Sequence, residues 1–374
     1  MDTINETLRE EKVVDYLQLF IGAVIFVLIF SASTSPLYPN YFGGDSAVFR
    51  VIGKYWCSGI IPYINLFDHK GPFIHFVNML GEWTHCLWGI QVVFLFITLL
   101  GIWKITKHYS AMSSNTRKSV TFLTLLYFII FYSEGNMTEE YCLPFLTWSI
   151  AAQIEWLKTG AKEHNKNNAF LYGITFSVCL LTRVTNVVVC ATGILVIIVV
   201  LICRGLWKNL INNFVAGIIG TLVVMLPFCV YFSAKGCFYD MLYGTIIYNF
   251  EYATAETSRF FADMTIESLL IGGVTYFIFI AMFLLGLYKV MHGKLDGAYM
   301  LLMTVATCYV CVFGHSYVHY AMIALPMFPI LFGELYQIVR ECWAKRIALL
   351  IIAAYTIIAL GWNGHLFWEN IAKP

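Results

Sequence analysis

The sequence predicts an all-α polytopic membrane protein: about eleven transmembrane helices, with two further helices lying in the membrane interface inside the first outer loop. Three observations predict it. Of 374 residues, 60% are hydrophobic and 12% charged, where a soluble domain carries about twice that charge. Apolar runs of roughly 20 residues, each long enough to span a bilayer as a helix, recur along the chain. The basic residues fall unevenly on the segments between those runs. A net charge of +1 supplies no basic field for nucleic acid.

The spans read at 15–33, 89–107, 119–134, 141–157, 169–183, 187–203, 210–232, 265–288, 297–313, 321–339 and 346–361. Ahead of the first, Glu6, Arg9, Glu10, Glu11 and Lys12 do not make the basic start of a signal peptide, so the first run is expected to be a retained helix. With the N-terminus in the cytoplasm, only seven of the 23 Lys and Arg face outward: Arg50, Lys54, Lys70, Arg183, Lys235, Arg259 and Lys373. That bias satisfies the positive-inside rule and puts both the 34–88 loop and the C-terminus outside.

Residues 71–88 are apolar enough to resemble another span. Counting them as one would turn the basic 104–118 segment outward. Their pattern is amphipathic instead: His75, Asn78, Glu82 and His85 share one helical face, and Phe73, Phe76, Val77, Leu80 and Trp83 cover the rest. Such a helix lies in the interface, and Pro72 suits its first turn. Residues 46–59 read alike, with Ser46, Arg50, Lys54 and Ser58 opposite Val48, Val51, Ile52, Tyr55 and Trp56. No repeat, soluble domain or low-complexity tract breaks the chain. The expectation is one membrane domain over 1–374, without a soluble C-terminal domain, whose chemistry sits in 34–88 and whose 234–264 segment is an aromatic outer loop.

Six of the eleven cysteines, Cys179, Cys190, Cys203, Cys229, Cys308 and Cys311, lie inside apolar runs, where a thiol packs as a small hydrophobe. The Cys308-x-x-Cys311 pair has no second pair or His beside it, and a zinc site needs four ligands. Cys57, Cys142 and Cys237 lie near loops, and their pairing stays open.

The polar groups concentrate on the outer side. Asp45 follows Gly43 and Gly44 and precedes a helix. It reads as an N-cap, and one carboxylate can cap and also serve as a general base. Asp68, His69 and Lys70 run into an apolar helix, which is costly at a membrane surface without partners. Lys70 would add its charge to a helix start that already favours anions, so a phosphate suits it; an Asp68–Lys70 pair of structural value is the alternative. Glu139 and Glu140 either complement a helix dipole or form an acidic wall for sugar hydroxyls or a metal. The sequon at Asn136 lies too near the membrane to be used easily. His315, Tyr317 and His319 read as a lined polar site. Arg183 is either a snorkelling side chain or a phosphate ligand. The aromatics of 234–264 form either an interfacial belt or a sugar-stacking segment. A transporter would place ionisable groups near the midplane; an interfacial enzyme gathers them at one face, as here.

In order, the stretches GGDSAVF…GIIPYINLFDHKGPF, NMTEEYCLPF, LLTRVTN and GHSYVHYAMIALP make the chain resemble the glycosyltransferase C superfamily. The nearest groups are the bacterial polytopic transferases akin to protein O-mannosyltransferases and the lipid A aminoarabinose transferase. The resemblance spans most of the chain. It implies the glycosyltransferase C fold in a bacterial plasma membrane, and an inverting transfer on the outer side. The donor would be a polyprenyl-phosphate-linked sugar and the acceptor a glycan, lipid or protein. Asp45 matches the acidic residue taken as the base, and Lys70 the lysine taken to hold the donor phosphate. Glu139 and Glu140 match the acidic pair of the second outer loop. Related sequences often carry arginine where His315 stands. Arg183, His315 and His319 complete the phosphate candidates; Asp68, His69, Glu139, Glu140 and Tyr317 are candidates for substrate or metal. No cofactor is certain, and a divalent cation stays open. The competing reading is a membrane transporter or flippase for a glycolipid or sugar.

Overall fold

The computed structural model describes residues 2–109, 111–255, 266–312, 317–338 and 361. Among these the chain is helical, and its only β contact is an isolated bridge between Pro62 and Leu66. The α-helices, in chain order, are α1 (Asp2–Phe30), α2 (Asp45–Cys57), α3 (Pro72–Thr84), α4 (Leu87–Lys107), α5 (Ser114–Phe128), α6 (Thr138–Lys158) and α7 (Lys166–Leu180). They continue with α8 (Val187–Cys203), α9 (Trp207–Ala234), α10 (Phe238–Leu242), α11 (Tyr248–Ala255), α12 (Ile266–Met291), α13 (Leu295–Val312) and α14 (Met327–Ile338).

Among the described residues three stretches are long and apolar enough to cross a membrane: Leu87–Lys107, Val184–Cys203 and Trp207–Ala234. Where they are described, the expected spans from 15–33 through 321–339 fall mainly on helix, while 346–360 lies outside the described residues. Two differ in form. The third ends its α-helix at Phe128 and finishes in a 3₁₀ turn, Ile129–Phe131. The tenth divides into a 3₁₀ turn, Val318–Ala324, and α14. Pro326 separates the two, since it offers no N–H to a continuing helix. The 234–264 segment is no open loop where it is described: α10, a π-helical turn (Tyr243–Ile247) and α11 fill it.

The core runs along α4 and α6, where Leu99, Ile102, Leu146 and Ile150 are buried against α1, α5, α8 and α13. Helix α9 is peripheral and buries only Asn213, Gly220 and Phe232. It meets α7 through glycines: a Cβ on Gly173 would fall 2.0 Å from the Gly217 carbonyl oxygen, and one on Gly220 2.1 Å from that of Phe170. Small residues at such a contact let two apolar helices approach backbone to backbone.

Helices form over both stretches expected to be interfacial, with their faces assigned differently from the sequence pattern. Helix α2 buries Ser46, Phe49, Ile52, Gly53 and Trp56, and exposes Val48, Val51 and Tyr55. Helix α3 buries His75 and Asn78 and leaves Trp83 71% exposed. The His75 and Asn78 part of its polar stripe therefore turns inward, toward polar groups of the protein, while Glu82 is half-buried and His85 exposed. Every described cysteine is a free thiol.

Candidate functional site

The site begins at the start of α2. Gly44, not Asp45, is the N-cap, and no side chain of its own caps the helix. Asp45 stands at the first helical position, with its side chain exposed. This corrects the capping role expected of it. The capping is done from 90 residues away: Glu134 accepts from the Gly44 N–H at 2.8 and 3.0 Å and from the Ser46 N–H at 3.4 Å. Asp45 is thereby left free of structural duty.

The Asp68–Lys70 turn is docked on the end of α7. Gly71 N–H donates to Thr182 O at 3.0 Å and Phe73 N–H to Leu181 O at 2.9 Å. A Cβ on Gly71 would lie 2.2 Å from the Leu181 oxygen, so only glycine allows this approach. These contacts use two amides at the start of α3, so the anion preference expected of that helix start rests on Lys70 itself. Asp68 and Lys70 do not pair. Asp68 Oδ1 accepts from the His69 N–H at 2.8 Å, and its Oδ2 lies 3.4 Å from His75 Nε2. Lys70 is buried, and its Nζ meets His69 Nε2 at 3.0 Å. Burial, then the Lys70 charge, hold the His69 imidazole below its ordinary value, against Asp68 and Asp45. A neutral His69 can accept from the ammonium. Burial, then Arg183, likewise lower the Lys70 ammonium, against Asp68, Glu139 and Asp45. No ion pair found among the described residues involves Lys70.

Docking the turn on Leu181–Thr182 brings Lys70 beside Arg183. Arg183 pairs with Glu139 Oε1 at 3.1 Å, and Thr138 Oγ1 donates to Glu139 Oε2 at 2.9 Å. The guanidinium sits 3.1 Å from the Tyr320 ring centroid, a cation–π contact. Burial alone would raise the Glu139 carboxyl, but Arg183 and then His319 bring it below the ordinary range. Burial lowers His319, against the pull of Glu139 and Asp45. The Asp45 charge thus acts on His69, Lys70 and His319 together. Tyr317 stacks on His319 with centroids 5.6 Å apart.

So Asp45, His69, Lys70, Glu139, Arg183 and His319 belong to one cluster. Asp68 stands behind it, facing the two histidines. Glu140 points elsewhere: it accepts from Gln91, Tyr132 and the Met137 N–H, and burial raises it to about 7 against those three donors. The expected acidic pair is therefore one site residue and one core residue. His315 lies outside the described residues. Asn136 is fully buried, and its Nδ2 donates to Ser46 and Asn78, which leaves no room for a glycan. Among the described residues no three His, Cys, Asp or Glu side chains converge as metal ligands. The sequence missed Glu134, and it offered Asn136 only as a sequon and Tyr320 only as one tyrosine of a polar loop; the run of left-handed residues at Ser133, Gly135 and Asn136 marks the tight loop that aims Glu134 and Asn136.

Residues 6–346 match the model of the competence-induced protein Ccs4 N-terminal domain, and the chain belongs to that family. No curated protein matches it in sequence. Among solved structures it is similar to the Archaeoglobus fulgidus oligosaccharyltransferase in the apo form, with a TM-score of 0.55 at 12% identity, over 96% of this chain and 55% of that one. The same enzyme tethered by a disulfide to an acceptor peptide containing the NVT sequon gives 0.51 at 11% identity, over 95% and 55%. The chain thus spans about half the length of the enzyme it resembles. The likeness is one of fold.

Proposed function

We propose that this family member is an inverting glycosyltransferase that moves a sugar from a polyprenyl-phosphate donor to a hydroxyl of a glycan, lipid or protein at the outer face of a bacterial plasma membrane. The observation that carries the reading is Lys70, a buried ammonium held by an imidazole rather than by a carboxylate, in one cluster with the exposed Asp45. A buried cation short of an anion is the arrangement that a bound phosphate completes.

Asp45 takes the proton of the acceptor hydroxyl as that oxygen attacks the anomeric carbon. The bond from that carbon to the phosphate oxygen breaks, and its electron pair leaves with the polyprenyl phosphate. Lys70 faces the charge that grows there, as cation clamps do at phosphoryl oxygens. Arg183, tied to Glu139 and stacked on Tyr320, adds a second positive charge with a fixed position. Phosphate leaves well without an acid. The topology that goes with this reading has eleven spans, the N-terminus inside and the site outside.

A strain lacking the protein should accumulate an undelivered polyprenyl-phosphate sugar. Lipid extracts with no such species, beside intact loss of a surface glycoconjugate, would contradict the donor assignment.

A further inference from the structure

We propose that Glu134 is a positioning residue for Asp45: a clamp from the second outer loop that fixes the turn bearing the base. The inference rests on the base assigned above. Its geometric part stands alone.

Both Glu134 oxygens lie on the Gly44 N–H, and one also reaches the Ser46 N–H. Gly44 and Ser46 flank Asp45 on either side. The first amides of a helix lack intrahelical acceptors and attract a carboxylate. Here the carboxylate comes from a different loop, so it couples two loops rather than finishing one helix. Tyr41 donates to Glu134 Oε2 at 3.2 Å. Burial, then the Glu134 charge, push that phenol up to about 12, so it stays a donor.

The fit is close. Gly43 has φ +75°, and a Cβ there would lie 2.6 Å from the Glu134 carboxyl carbon. Glycine at 43 thus serves the left-handed turn and the carboxylate together. The loop carrying Glu134 is itself pinned. Ser33 N–H donates to Glu134 O at 3.0 Å, and Ser33 Oγ to Gly135 O at 3.0 Å. Arg50 of α2 donates to Ser33 O at 2.6 Å, which closes the link from α2 back to the same loop. A carboxylate that only needed solvation would not require this bracing. What the bracing fixes is the turn that carries Asp45, whose charge reaches His69, Lys70 and His319.

The test compares purified Glu134→Ala, Glu134→Gln and Gly43→Ala proteins with wild type. A misplaced base slows the chemical step rather than donor binding, so Glu134→Ala and Gly43→Ala should lower kcat about 10- to 100-fold with donor KM unchanged. Glu134→Gln keeps an acceptor oxygen for Gly44 and should recover most of that loss. Independently of activity, hydrogen exchange at the Gly44 and Ser46 amides should speed up in Glu134→Ala. Wild-type kcat in Glu134→Ala, or a kcat loss that Glu134→Gln does not relieve, would overturn the proposal. So would unchanged exchange at those amides. If wild type transfers from no polyprenyl-phosphate sugar, the reading of function fails, and the exchange result still decides whether the clamp exists.

Discussion

Helix α6 carries a charge cluster at each end, and the two clusters are built differently. At its first turn Glu139 joins Arg183, Lys70 and Asp45; at its last turn Lys158 joins Lys289, Asp296 and Glu334. The helix has 21 residues, so the ends stand about 30 Å apart, the thickness of a bilayer's hydrocarbon core. The cluster at the last turn is balanced. Lys158 lies 2.6 Å from Glu334 and 3.5 Å from Asp296, and Lys289 pairs with both acids. Four helices, α6, α12, α13 and α14, are laced by two cations and two anions. In the cluster at the first turn Arg183 and Glu139 satisfy each other, while Lys70 leans on a neutral His69 and Asp45 is exposed. Charges that cancel hold helices together. Under the proposed function, the charges left without counterparts are where a substrate's phosphate and proton would go.

The largest effect should come from removing the exposed carboxylate. Asp45→Asn should leave the fold intact, because Gly44 and Glu134 cap α2 without it. Transfer should fall about 10²- to 10⁴-fold, the usual worth of a general base. Near-normal turnover in the purified variant would make Asp45 a bystander.

A matched pair of lysine variants sharpens the contrast further. Lys70→Ala should weaken donor use by about tenfold or more, since a charged hydrogen bond is worth roughly 1.5–3 kcal/mol, and should leave thermal stability little changed. Lys289→Ala should do the reverse. Breaking a buried pair costs about 3–5 kcal/mol, read as a lower melting temperature, with transfer per folded molecule preserved. If both variants lose stability and neither loses donor use, the two clusters are the same kind of object and the distinction fails.

The helices were legible because a bilayer demands apolar runs of a set length: the runs expected from 89–107 to 187–203 fall within about six residues of α4 through α8, while α1 begins thirteen residues before the run expected at 15–33. Asp45, Lys70, Glu139, Arg183 and His319 stood out in the sequence as polar groups between apolar runs, and the fold brings their charges together. What the pattern hid is contact across distance. Glu134 reads as an ordinary loop acid until its oxygens are seen on Gly44. The polar stripe of α3 looked like a solvated face, yet His75 and Asn78 meet Asp68 and Asn136. Periodicity tells which residues share a face and not which way that face turns. Glu334 sits within an expected span, and only the fold supplies its two lysines.

A smaller, yes-or-no reading tests which cluster lies outside. In a cysteine-free background, Ser58→Cys and Thr84→Cys occupy exposed positions near the cluster at the first turn of α6, and Ser113→Cys and Gly160→Cys exposed positions on the opposite side. An impermeant thiol reagent should label only the first two in intact cells. Labelling of Ser113→Cys would reverse the sides, because the assignment of residues 71–88 to the interface sets every later loop.

The central claim is that Lys70 receives a lipid-borne phosphate, and donor choice by the purified protein tests it most directly. A nucleotide-sugar enzyme needs a pocket for base, ribose and diphosphate, commonly at a Gly-rich turn of an α/β domain; the cluster described here offers one buried ammonium beside interfacial helices. Wild type should form a glycosidic product from a polyprenyl-phosphate sugar, Lys70→Ala should not do so efficiently, and a nucleotide sugar offered alone should give none. Robust transfer from a nucleotide sugar with no lipid donor present, or movement of sugar across the membrane with no glycosidic product, would contradict the account.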